Sequence, residues 1–317
     1  MMMMRDLYRT FLAASISLAL YLPVANAVEG GMGRPLTGEQ IDPLAGVVPV
    51  EPGIYAGLNA YYYDGASRNS AVPRGHTLEG GTQLSVLYTT LSLTYVWGSV
   101  GAWSFASSLA QPFQYAEVSA SVSGTTLAGE RSDHSTEIAD TLLIPLLVGY
   151  HFNEANHLAM YVQIYAPTGS YSPDRLSSAG LNYWTFIPTL SYTHLDPDWG
   201  MEYTLSWGMQ FNTTNPDTHY QSGTLSTLDA LAIKRFNNGL GIGLAGGWIK
   251  QVSDDRGGLA TVLGGYRSQS WGVGPIVTWE GKEGNLPLSL SLRWINEFAV
   301  KNRPDGNAFE LSLAGQF

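Results

Sequence analysis

The strongest constraint in this chain is a period of two. Residues 307–317 read NAFELSLAGQF, with Phe309, Leu311, Leu313, Gly315 and Phe317 on one face of an extended strand and Glu310, Ser312, Ala314 and Gln316 on the other. Residues 288–298 repeat the pattern, with Leu288, Leu290, Leu292 and Trp294 set against Ser289, Ser291, Arg293 and Glu297. Two such strands in succession, the second closing on something earlier in the chain, propose an antiparallel barrel.

The rest of the sequence can be read for further strands. From Gly53, the residues Ile54, Ala56, Leu58 and Ala60 alternate with Tyr55, Gly57, Asn59 and Tyr61. Leu87, Leu91, Leu93, Tyr95 and Trp97 share one face, and Trp103, Phe105, Ser107 and Leu109 follow a Gly98–Gly101 turn. A nearly continuous apolar run at 138–152 reads as one strand whose facing the pattern does not set. Leu158, Met160, Val162 and Ile164 then oppose Ala159, Tyr161, Gln163 and Tyr165, and Trp184, Phe186, Pro188, Leu190 and Tyr192 oppose a threonine and serine face. Tyr203, Leu205, Trp207, Met209 and Phe211 against Glu202, Thr204, Ser206, Gly208 and Gln210 form the cleanest alternation, and further strands are read at 225–236, 240–251 and 271–280. The expectation is about twelve strands, with short turns near 98, 153, 195, 237 and 281 alternating with longer loops at 64–81, 124–136, 167–182, 212–222, 252–269 and 299. A soluble sandwich has no reason to sort its connections by length in this way. A transmembrane barrel with both termini in the periplasm does.

Composition supports the membrane reading. Only 13% of the 317 residues are charged, against about 25% in soluble domains, yet mean hydropathy is −0.02, too low for a bundle of spanning helices. Alternation alone does not say which face meets lipid; the aromatic residues do. Trp97, Trp103, Trp199 and Trp279 sit beside short turns while Trp184, Trp271 and Phe211 sit near long loops, as two interfacial girdles require. With those faces in lipid, the polar and tyrosine set Tyr55, Tyr61, Tyr161, Gln163, Tyr165, Glu202, Gln210, Arg293, Glu297 and Glu310 lines the lumen and forms the candidate solute path. Filling a narrow barrel and lining a path are both open to this set, and Arg293 with Glu310 on the adjacent strand also reads as a structural ion pair.

Residues 1–27 have Arg5 and Arg9 before the apolar run 11–22 and a small-x-small site at Ala25-Asn26-Ala27, the marks of a secretory signal. Residues 28–52, rich in Gly and Pro, precede the barrel at 53–317 and either dangle in the periplasm or tuck into its mouth as a plug. Starting before the first strand, they are expected at the periplasmic mouth. An acidic, cysteine-free exported chain gives no indication of nucleic-acid binding. Gly241, Gly243 and Gly246 have G-x-G-x-x-G spacing, but inside a strand pattern, where small residues let a strand bend rather than cradle a dinucleotide. Asp133-His134-Ser135 are sequence neighbours and so do not converge as a relay. The six histidines lack i, i+4 spacing, and Asp254-Asp255 read as a hydrophilic loop, so neither metal nor cofactor is expected. No converging nucleophile and base appear, and the chain does not read as an enzyme.

Several short stretches resemble a known family. They are Glu29-Gly30-Gly31, Pro52-Gly53-Ile54-Tyr55 followed by Tyr62-Tyr63, Tyr165-Ala166-Pro167-Thr168-Gly169-Ser170-Tyr171 before Leu181-Asn182-Tyr183-Trp184, residues 215–218 with Tyr220-Gln221-Ser222-Gly223, Gly274-Pro275, and terminal Phe317. In this order they are similar to the outer-membrane family of the meta-pathway of phenol degradation, whose members are described as transporters. The resemblance implies a bacterial outer-membrane barrel associated with uptake of small hydrophobic or aromatic solutes, and carries over no catalytic residue. Phe317 looks like the signal that barrel-assembly machinery reads in outer-membrane proteins generally. Beside passive transport stand two other classes: a lipid-acting membrane enzyme and a non-transporting adhesive or structural barrel.

Overall fold

The computed structural model describes residues 34–71, 78–124, 128–257, 260, 265–284 and 286–317. The expected signal, residues 1–27, lies outside them, as do Glu29-Gly30-Gly31 and His76. The strands are β1 Gly53–Ala71, β2 Leu78–Val100, β3 Trp103–Gly124, β4 Ala128–Ile138, β5 Leu142–His151, β6 Asn156–Tyr165, β7 Thr185–Asp196, β8 Met201–Asn212, β9 Leu225–Arg235, β10 Leu240–Gln251, β11 Gln269–Glu283, β12 Leu286–Lys301 and β13 Asp305–Gln316. All ladders are antiparallel, and β1 pairs with β13 as well as β2, which closes the sheet. β3 pairs along Phe113–Ser123 with β4 and along Trp103–Ala110 with β5. β4 and β5 thus occupy one position end to end, and the thirteen segments of the sheet make a closed transmembrane barrel of twelve. Closure matters because a spanning sheet edge would leave backbone donors and acceptors unpaired in hydrocarbon.

The alternation places side chains as the lipid-facing reading requires. Leu91, Leu93, Leu205, Trp207, Leu292, Trp294, Leu311 and Leu313 are exposed on the outer wall, while Glu202, Gln210, Arg293, Glu297 and Glu310 are buried inside. Short turns lie at the end where β1 starts and β13 finishes, which is the periplasmic end of such a barrel.

Two expectations need correction. The stretches 64–81 and 124–136 read as loops, but β1 and β2 run 19 and 23 residues, β3 runs 22, and β4 covers most of the second stretch. Above the bilayer neither face of a hairpin meets lipid, so no apolar period marks it, although the ladder of backbone bonds continues. The single strand read at 138–152 is broken at residues 139–141. There Asp140 is buried and accepts bonds from Gly169 N (2.9 Å) and Leu181 N (3.0 Å), drawing the long loop 166–184 inward. Beyond the break β4 has no strand neighbour but β3. The loop covers its other side: Ser170 N donates to Ile138 O at 2.9 Å, and Arg175 bonds Asp133, Glu137 and His134 O.

Candidate functional site: a lumen filled by its own N-terminal segment

Residues 34–52 do not stay at the periplasmic mouth. They run the length of the lumen, with residue 34 at the extracellular end and residue 52 at the periplasmic end, where β1 begins. At the outer end Arg34 meets Asp140 at 2.6 Å and Thr185 Oγ1 at 3.3 Å, and its guanidinium lies 4.1 Å from the centre of the Tyr165 ring. Thr37 donates to Glu297 Oε1 at 2.5 Å, Gln40 N to Asp229 Oδ2 at 2.9 Å, and Gln163 Nε2 to Gln40 Oε1 at 3.2 Å. Arg293 donates to the Ile41 carbonyl. Toward the periplasm Leu44 N donates to Glu202 Oε1 at 2.6 Å, Gly46 N to Thr193 Oγ1 at 2.9 Å, and Ser104 Oγ to Val48 O at 3.1 Å.

This pattern follows from backbone chemistry. A segment without strand or helix leaves its N–H and C=O groups unpaired, and burial demands that something else satisfy them. The inward polar side chains do so. Leu44 holds φ at 61°, a strained value for a non-glycine residue, where the Glu202 carboxylate takes its N–H. Glu202 is itself clamped by Arg235 at 2.8 Å, so its buried charge is paired. Apolar side chains fix the segment too. Ile41 is fully buried among Tyr61, Tyr63, Leu231, Ile233, Ala245, Ile276, Ile295 and Ala308, and Val48 packs with Val96, Ala106 and Ala159 beside Tyr55 and Tyr161. Glycines allow the close approach: a Cβ on Gly247 would lie 2.5 Å from Gly38 N, and one on Gly46 2.5 Å from Thr193 N. The glycines of the 241–246 stretch lie in β10, within the wall.

Nearly all of the residues expected to line a path converge on this segment. Gln163, Glu202, Arg293 and Glu297 bond it directly, Tyr61 surrounds Ile41, Tyr55 and Tyr161 flank Val48, and Tyr165 lies under Arg34. Glu310 pairs with Arg293 and is buried in the barrel interior. Gln210, near the extracellular end, donates to Asn212 Oδ1 at 3.0 Å and lines a small cavity with Arg34. Sequence reasoning misses Asp140, Asp229, Thr193 and Ser104, although each of the two aspartates stands as a lone charge inside an apolar or alternating run.

Other candidates resolve into local structure. Asp133 lies on β4 and binds Arg175 at 3.2 Å. Asp254 pairs with Arg267, and Asp255 accepts bonds from Gly223 N, Gln251 and Tyr220. His151 and His157 do meet, Nδ1 to Nδ1 at 2.8 Å, with Ser104 Oγ 3.0 Å from His151 Nε2. Ser104 is fully buried in the interior, away from the lipid face on which a lipid-acting nucleophile would have to sit. Among the described residues no group of three or more His, Cys, Asp or Glu is arranged to hold a metal.

A family model described as "Putative MetA-pathway of phenol degradation" matches residues 51–313. The chain belongs to this family. Among solved structures, this phenol-degradation-family barrel is similar to the COG4313 outer membrane channel of Pseudomonas putida F1, at 19% identity and TM-score 0.66, covering 88% of this chain and 100% of that one. It is more distantly similar to the transport unit of the autotransporter AIDA-I from Escherichia coli (13%, TM-score 0.46, covering 95% and 97%). A FadL homologue of Pseudomonas aeruginosa is more distant again (10%, TM-score 0.43, covering 92% and 97%). No curated protein sequence matches the chain. With its apolar outer wall and aromatic girdles, the family barrel belongs in the bacterial outer membrane. The family match begins at Glu51, so the lumen segment lies almost wholly outside it.

Proposed function

We propose that this family member is a passive outer-membrane channel for small hydrophobic or aromatic solutes, not an enzyme, and that residues 34–52 act as its plug. Residues 53–317 are the conducting wall and residues 1–27 the export signal. The observation that carries the reading is the way the segment is held. It crosses the lumen on separate hydrogen bonds to wall side chains, each of net worth about 0.5–1.5 kcal/mol between neutral groups and about 1.5–3 kcal/mol where one partner is charged, while the wall's own ladder closes without it. Such a segment can shift without unfolding the barrel. The tyrosines around it offer apolar faces with polar tips, suited to amphipathic aromatic solutes. The P. putida barrel of the same fold is an outer membrane channel, and the family description refers to phenol degradation; both accord with this reading. Partners beyond the solute are outer-membrane lipid around the wall and assembly machinery at Phe317.

Swelling of liposomes containing the purified protein, with phenol or toluene as permeant, tests the proposal. Permeation faster than in protein-free liposomes is expected. A barrel that leaves solute permeation at the protein-free rate, with or without its plug, refutes transport and returns the structural-barrel alternative.

A further inference from the structure

At the extracellular end of the lumen a cavity of ≈ 20 Å³ is bounded by Arg34, Tyr183, Gln210, Gln251, Asp255 and Arg303, among others. That is room for one water-sized atom. Two of its buried walls are incompletely bonded. Arg303 reaches in from the β12–β13 turn and donates from Nη2 to Pro35 O at 2.8 Å. Its Nε–H has no hydrogen-bond partner, and no carboxylate among the described residues forms an ion pair with it. Gln210 Oε1 likewise has no hydrogen-bond partner.

The orientation of the Gln210 amide is set by its neighbours. Asn212 Nδ2 faces the Ser222 and Gly223 carbonyls, so Asn212 Oδ1 must be the atom that accepts from Thr185 and from Gln210 Nε2. Gln210 Oε1 is therefore left as an acceptor. Asp255, on the same wall, is occupied by Gly223 N, Gln251 Nε2 and Tyr220 Oη. Two residues of the cavity wall thus carry an unused donor and an unused acceptor, both costly to leave unmade when buried.

We propose that this cavity is a hydroxyl-recognition subsite, selecting phenols and small alcohols over hydrocarbons of the same shape. This rests on the channel reading given above. A hydroxyl accepts from Arg303 and donates to Gln210 through a single oxygen. A methyl group does neither, and a carboxylate sets an acceptor against Gln210 Oε1. The cavity takes only the oxygen. The ring must use space now held by Arg34 and Pro35, so binding draws Arg303 away from the Pro35 carbonyl and couples recognition to withdrawal of the plug's outer end.

The test is calorimetric titration of the full-length protein, and of the form lacking residues 30–48, with phenol, toluene and benzoate. Phenol should bind about tenfold or more tighter than toluene and than benzoate in the full-length protein, where the two groups are held out of water, with a smaller preference of the same sign in the plug-deleted form. Arg303→Gln and Gln210→Met, checked for assembly by heat-modifiable migration, should abolish that preference. Equal binding of phenol and toluene overturns the proposal as a site filled by water alone, and preferred benzoate overturns it in favour of an anion site. Binding of none of the three to the plug-deleted form overturns it as well. Phenol preference without solute permeation into liposomes would keep the subsite and sink the transport reading.

Discussion

Removing residues 30–48 while keeping the signal cleavage site should open the barrel. Twelve strands about 4.8 Å apart and tilted by ~40° close at a backbone radius of ~12 Å, and inward side chains of ~5 Å leave a bore of ~7 Å radius. An irregular stretch of polypeptide with its side chains is roughly 10 Å across, the spacing at which packed sheets sit, so residues 34–48 fill most of this bore and their loss should raise conductance several-fold. The opened wall would carry the carboxylates of Asp140, Glu202, Asp229, Glu297 and Glu310 against Arg235, Arg293 and Arg303, which favours cations over anions. The wall should survive: Glu202 keeps Arg235, Glu310 keeps Arg293, Glu297 keeps Tyr63 at 2.7 Å, and the groups that lose a partner gain water. Planar-bilayer conductance and reversal potentials in a salt gradient are the assays, after heat-modifiable migration confirms assembly. Wild-type conductance in a properly assembled deletion refutes the plug, whatever the geometry of the closed form.

Ile41→Ala should cost about 2–5 kcal/mol of segment packing, seen as more frequent spontaneous openings in bilayers, whereas Asp42→Ala at the exposed neighbouring position should leave opening unchanged. On β4 above the membrane, desolvation alone raises the Asp133 carboxyl, but bonds from Arg175 and Ser177 and the Arg175 charge outweigh it and hold it at about 2. A carboxyl lowered on folding contributes fully above its unfolded value of about 4 and loses that contribution as pH falls through the folded value. Protease nicking of the loop 166–184 should therefore rise between pH 4 and 2, and Asp133→Asn should show the raised nicking already at neutral pH; a flat profile counts against the clasp. Phe317→Ala should lower outer-membrane yield. Its backbone N–H already bonds Ile54 O at 2.8 Å while its ring is exposed, so a loss would come from recognition during assembly rather than from packing.

What is legible in the sequence depends on lipid. Wherever one face of a strand meets hydrocarbon, the period of two is enforced residue by residue, and Leu205, Trp207 and Phe211 against Glu202, Thr204 and Gln210 can be assigned to opposite sides without a structure. Where lipid ends the signal ends too. The outer parts of β1 to β4 are strands by backbone pairing alone, with serines, alanines and charges on both faces, so their pattern reads as loop. The strand break at Asp140 is hidden for the opposite reason, since the apolar run around it is continuous and only that one carboxylate interrupts it.

The site is half legible on the same grounds. Gln163, Glu202, Arg293, Glu297 and Glu310 stand out because a charge or amide on an alternating strand has to face inward. Nothing in their spacing says what they face. That depends on residues 34–52, which have no period and whose path is fixed by donors and acceptors supplied one at a time, from Asp140 at one end to Ser104 at the other. A wall built to hold water would need few such matched partners. This one offers an acceptor to Gln40 N, Leu44 N and Gly46 N and a donor to Pro35, Ile41 and Val48 carbonyls, so the lumen's polar residues match the backbone of residues 34–52. On the plug proposal the same groups would become free together when the segment leaves, and the closed state's anchors would be the open state's polar lining.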